Sequence, residues 1–105
     1  GYTRCNLLPL KDDHFITSDK AIFKTLHQER LPVLFVRPND ILLTGQRHGF
    51  FGGCCGVYKN KLYINGSLKQ YNDGSLVLDM INSLDYKIVE LCEAPLQDCG
   101  SILIH

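Results

Sequence analysis

The two halves of this chain echo each other, and that constrains the fold more than any other feature. A β-type segment at His14–Thr17, a helical stretch, a strand at Val33–Val36, a loop and Gly53–Val57 come first. The same order then returns as Leu62–Asn65, a helical stretch, Lys87–Leu91, a loop and Gly100–Leu103. Matching points lie 48 residues apart for Ile16 and Ile64, 55 for Val33 and Ile88, and 47 for Gly53 and Gly100. A near-constant spacing of this size marks a repeated supersecondary unit. The expectation is a soluble α/β chain, a single domain or fragment over 1–105 with an internal repeat of roughly 1–57 and 58–105. Two such units leave apolar faces uncovered, which implies association with another chain or with a further part of the same protein. The Gly1-Tyr2 start points to a cut or processed terminus.

Local patterns fill in each unit. Tyr2–Leu10 alternates as a strand, Lys11-Asp12-Asp13 is turn chemistry, and His14–Thr17 returns as a strand. Ser18-Asp19 is an N-cap signal for a helix with Ile22, Phe23 and Leu26 on its buried stripe, and Pro32 stops it. Val33–Val36 is a continuous apolar run of the parallel-sheet type. Val57-Tyr58 and Leu62–Ile64 form a hairpin about Lys59-Asn60-Lys61, with Asn65-Gly66-Ser67 as the next turn. Asp73-Gly74-Ser75 opens a second helix with Leu76, Val77, Met80, Ile81 and Leu84 at helical spacing, of which Leu76, Met80 and Leu84 are expected in the core. Tyr86–Leu91 and Ser101–Ile104 complete the strands.

Composition excludes several functions. Lys+Arg and Asp+Glu both number 11 and no basic cluster occurs, so nucleic acid is not the expected partner. Apolar runs of four or five residues cannot span a membrane, and no signal-peptide pattern opens the chain. The expected location is the cytoplasm. Five cysteines, an odd number with no C-x-x-C pair, read as reduced small hydrophobes in the core. His48, Cys54, Cys92 and Cys99 have no recognised zinc spacing, and no motif calls for a cofactor. The glycine run lacks phosphate-loop order.

Candidate chemistry gathers in Gly45–Gly56, GQRHGFFGGCCG, and in its counterpart around Asp98-Cys99. His48, between Arg47 and Gly49, is placed for acid/base work. Cys54 and Cys55 follow Gly52-Gly53, whose amides could lower a thiol pKa or form an oxyanion hole. If both loops face one mouth, Cys99, His48 and Asp98 supply a thiol-hydrolase set, with Arg47, Gly52, Gly53, Cys54 and Cys55 contacting substrate. The plainer reading is structural: glycines permitting a tight turn, His48 capping backbone groups and the cysteines packed in the sheet.

A ββαβ unit with a Gly-Gly loop resembles the module of the pentein fold, the five-bladed α/β propeller of guanidino-group-modifying enzymes. The segment Phe51-Gly52-Gly53-Cys54-Cys55-Gly56-Val57-Tyr58 through Ile64 looks like their Gly-Gly hairpin. Gly1–Asn6, Ile16–Asp19 and His48–Gly53 together resemble the C-terminal half of an uncharacterised bacterial branch of that superfamily. The resemblance implies two ββαβ modules of about five, an incomplete pentein-type propeller. It also implies a possible small guanidino-type ligand. The family's catalytic pattern is not reproduced: its nucleophile seat falls near Ile104, its histidine seat at or before Gly1-Tyr2, and Cys54 stands where an aspartate often follows Gly-Gly. The implied role is a degenerate, small-molecule-binding or structural unit. The alternatives are an active cysteine-dependent hydrolase or deiminase of arginine-like substrates, and an interaction module completing its propeller with another chain.

Overall fold

The computed structural model describes residues 6–100 and 102. Strand β1 (Leu8–Pro9) runs antiparallel to β2 (Phe15–Thr17), and helix α1 (Lys20–Gln28) carries the chain to β3 (Val33–Phe35), parallel to β2. Strand β4 (Cys55–Tyr58) then runs antiparallel to β5 (Lys61–Ile64), and α2 (Gly74–Ser83) leads to β6 (Lys87–Glu90), parallel to β5. The fold is mixed α/β, with two 3-stranded sheets ordered β1-β2-β3 and β4-β5-β6. The described residues form no closed propeller. Among them, no helix is long and apolar enough to cross a membrane.

The two sheets and their helices share some hydrogen-bond patterns. The Val36 N–H donates to the Thr17 carbonyl just past β3, and the Leu91 N–H donates to the Ile64 carbonyl just past β6. Both helices end on a left-handed residue, Arg30 (φ 61) and Asp85 (φ 62). The next N–H reaches back five residues in each, Leu31 to Leu26 and Tyr86 to Ile81, as in a Schellman cap. These pairings relate α1–β3 to α2–β6 at a spacing of 55 and β2 to β5 at 47. In these bonds Thr17 and Ile64 are the acceptors, whereas the sequence comparison set Ile16 against Ile64 at 48. β4 pairs inside the second sheet.

Local chemistry explains the elements. The Asp19 carboxylate accepts the N–H groups of Ala21 and Ile22, capping α1, whose Ile22 and Leu26 are buried and whose Phe23 is half-buried. In α2 the buried residues are Gly74, Val77 and Ile81, while Leu76 is 47% exposed. Leu76 therefore lies outside the core, contrary to the expected stripe. Gly74 lies on the buried face of α2, where a Cβ would stand 2.2 Å from the Leu68 carbonyl oxygen. Only glycine allows that approach.

One core joins the units. Ile16, Val36, Ile41, Phe51, Leu62, Ile64, Val77, Ile81 and Leu96 are at most 1% exposed, each burial worth about 1.5–3 kcal/mol. A polar clamp supports it. The Arg37 N–H (2.7 Å), Nε and Nη2 (2.8 Å) donate to the Asp73 carboxylate, and the Tyr71 hydroxyl donates to the Arg37 carbonyl. The clamp ties the end of β3 to the start of α2, and Asp73 makes no side-chain cap to its own helix.

Residues 2–5 of the expected strand Tyr2–Leu10, Cys5 among them, and 101, 103 and 104 of the expected strand Ser101–Ile104 lie outside the described residues; in the described part of the first, the strand is confined to Leu8–Pro9. Within the described part, Ile102 donates its N–H to the Cys55 carbonyl.

Candidate functional site

The glycine run and the C-terminal segment meet at one carboxylate. Asp98 is brought there by backbone bonds: its own N–H donates to the Leu42 carbonyl, and the Cys99 N–H donates to the Gly53 carbonyl at 3.0 Å. Its carboxylate, in a residue only 6% exposed, accepts the Phe50 N–H and the Gly100 N–H, each at 2.9 Å. Charge-assisted bonds of this kind are roughly twice as strong as neutral ones.

The glycines exist for this approach. A Cβ on Gly53 would lie 1.8 Å from Asp98 Oδ1, and one on Gly49 would lie 2.5 Å from Asp98 Cβ. The run folds as a short 3₁₀ turn, Phe51–Cys54, buried throughout. Its Phe51 N–H donates to Ser18 Oγ at 2.9 Å, and the Phe51 ring stacks on Tyr71 with centroids 6.0 Å apart. Ser18 and Asp98 together collect the amides of Phe50, Phe51 and Gly100.

The expected site residues divide accordingly. Gly53, Cys54, Asp98 and Cys99 come together. His48 is half-buried, with Nδ1 3.1 Å from the Gly49 carbonyl oxygen and its ring edge-on to Phe50. Arg47 is exposed and Gly52 buried. The buried Cys54 Sγ donates to the Phe50 carbonyl at 3.6 Å, and Cys55 is buried beside it. Burial, reinforced by neighbouring Cys54 and Cys99, pushes the Cys55 thiol well above its ordinary value. Cys92 and Cys99 are exposed, so the cysteines do not all behave as core residues. Cys99 Sγ donates to the Gly53 carbonyl at 3.5 Å.

A thiol relay needs a carboxylate that orients an imidazole and an imidazole that takes the thiol proton. The Asp98 carboxylate instead organises backbone amides. The site is chemically a clasp: it can hold a turn, a neighbouring strand end and the segment beyond Asp98 in one arrangement. The nucleophile seat near Ile104 and the histidine seat at Gly1-Tyr2 lie outside the described residues. Among the described residues no three His, Cys, Asp or Glu side chains converge to hold a metal ion.

Two participants escape a sequence reading. Ser18 looks like part of the helix cap, a role that Asp19 fills; Asp73 looks like a helix-opening residue, yet its carboxylate serves Arg37. Neither long-range partner leaves a local signal.

No curated protein matches this chain, and no solved structure does. A family model described as a family of unknown function (DUF6873) matches residues 1–103, nearly the whole length. The chain belongs to that family.

Proposed function

We propose that this chain is a non-catalytic pair of ββαβ units of pentein type, in which the glycine run is a structural clasp and not a reaction centre. The observation that carries this reading is the Asp98 seat: the acid of the candidate catalytic set is 6% exposed and bonded to the Phe50 and Gly100 amides. The contact of Cys99 Sγ with the Gly53 carbonyl supports it, because it ties Cys99 to the backbone of the same turn. The shared strand order and matched helix caps support two copies of one unit. As part of a larger cytoplasmic α/β propeller completed by further units or by another chain, the pair serves as a structural or small-molecule-binding element.

Thiol alkylation at neutral pH tests the reading. Cys92 and Cys99 react at the rate of ordinary exposed thiols, and Cys55 reacts only on opening of the core. One cysteine reacting about tenfold faster than an exposed reference thiol, and protected by arginine, would overturn it and restore the hydrolase or deiminase reading.

A further inference from the structure

The two units differ where their register makes the difference readable. In the first, Phe23 of α1 packs against Phe35 of β3 with ring centroids 5.6 Å apart, both rings half-buried between helix and sheet edge. At the spacing of 55 that relates α1–β3 to α2–β6, Phe23 corresponds to Leu78 and Phe35 to Glu90. The pairing agrees: Phe35 lies beside Thr17 and Glu90 beside Ile64, each followed by the matching N–H bond. Two rings of the first unit are therefore a leucine and a carboxylate in the second.

Where the rings would stand there is an open cleft of about 790 Å³, within the roughly 300–1,000 Å³ of small-molecule sites. Leu68, Tyr71, Leu78 and Ile88 form its apolar walls, and Glu90 and Lys69 are its charged groups. Glu90 Oε2 accepts the Leu68 N–H at 2.6 Å, which anchors the carboxylate at the cleft. An ionised carboxylate offers about four lone-pair positions, and this bond uses one. An apolar cleft bordered by one anion and one cation matches a molecule that carries both charges on an apolar body.

We propose that the cleft between α2 and β6 binds a small zwitterion of the aliphatic amino acid class. Its ammonium group meets Glu90, its carboxylate meets Lys69, and its side chain lies on Leu68, Leu78 and Ile88. This site goes beyond the clasp and does not depend on its Asp98 seat; Tyr71, one wall of the cleft, stacks on Phe51 on the clasp side.

The test is a titration of the ¹⁵N-labelled protein with norleucine, hexylamine and hexanoate, followed by amide shifts. Norleucine is expected to saturate and to move the amides of Leu68, Leu78, Ile88 and Glu90. The singly charged probes bind about tenfold more weakly or worse, each lacking one of the two charged contacts. Glu90→Gln keeps an acceptor for the Leu68 N–H and weakens norleucine about tenfold. Leu78→Phe with Glu90→Phe restores the aromatic pair of the first unit and abolishes binding in a protein that keeps a dispersed spectrum. Absence of a saturable norleucine shift would overturn the proposal, as would hexylamine binding equally well or undiminished binding by Glu90→Gln. Concentration-dependent self-association in sedimentation, lost in the doubly substituted variant, would overturn it too by marking the cleft as a contact between chains.

Discussion

Gly53→Ala puts a methyl carbon 1.8 Å from Asp98 Oδ1 and 2.2 Å from Asp98 Cγ, so the carboxylate must leave its seat. On an exposed, flexible side chain such a shift costs little. Here Asp98 is 6% exposed and bonded to two amides. Each bond to a charged group is worth about 1.5–3 kcal/mol, and a displaced buried acceptor adds desolvation, so the expected loss is about 3–5 kcal/mol. For a domain of this size that lowers Tm by roughly 12 °C or more. The assay is urea unfolding followed by circular dichroism for the parent, Gly53→Ala, Asp98→Ala and the double variant. If the carboxylate is what the methyl group strikes, Gly53→Ala costs less than about 1 kcal/mol in the Asp98→Ala background, a coupling of at least about 2 kcal/mol. Gly45→Ala is the control: Gly45 has φ +79 and nothing within 4 Å of a Cβ, so only the left-handed backbone contributes, about 1–2 kcal/mol. An equal cost of Gly53→Ala in both Asp98 backgrounds would refute the reasoning, because the strain would then lie in the backbone.

Four more outcomes are expected. The hydrogen bonds from Arg37 hold the Asp73 carboxyl below its usual range, so its contribution is present above the unfolded value near pH 4 and is lost as pH falls through the lower folded value. The parent minus Asp73→Asn difference in unfolding free energy is therefore full at neutral pH and shrinks in acid; a flat difference from pH 7 to about pH 2 contradicts the clamp. Ser18→Ala leaves the buried Phe51 N–H without its acceptor and costs about 1–3 kcal/mol in chemical denaturation, whereas a cost near zero rejects Ser18 as an anchor. Phe51→Ala, at a fully buried position stacked on Tyr71, costs about 3–5 kcal/mol by the same assay. Mass spectrometry of alkylated protein finds Cys55 modified only as fast as the chain opens globally, because the thiol is buried and its pKa raised; labelling as fast as Cys92 would place Cys55 outside the core.

The elements were legible because their signals are local. Asp19 caps α1 through N–H groups two and three residues away, and the hairpin of β4 and β5 turns on Lys59-Asn60. Side-chain identity misled where packing decides. Leu76 has the spacing of a core residue, but α2 packs through the face of Gly74, Val77 and Ile81 and leaves Leu76 exposed. Cys92 and Cys99 have the composition of core residues but lie on exposed loop backbone.

Taken alone, the sequence determined two strand–helix–strand units, their order and a glycine-dependent turn between them, since alternation, caps and breakers act within a few residues. Tertiary structure alone decided what that turn does. The partners are 48 residues apart for Phe50 and Asp98, 33 for Ser18 and Phe51, and 36 for Arg37 and Asp73. Cys99, His48 and Asp98 were a chemically sufficient set of residue types. Which groups the Asp98 carboxylate meets depends on how two distant segments pack, and packing gave it the amides of Phe50 and Gly100.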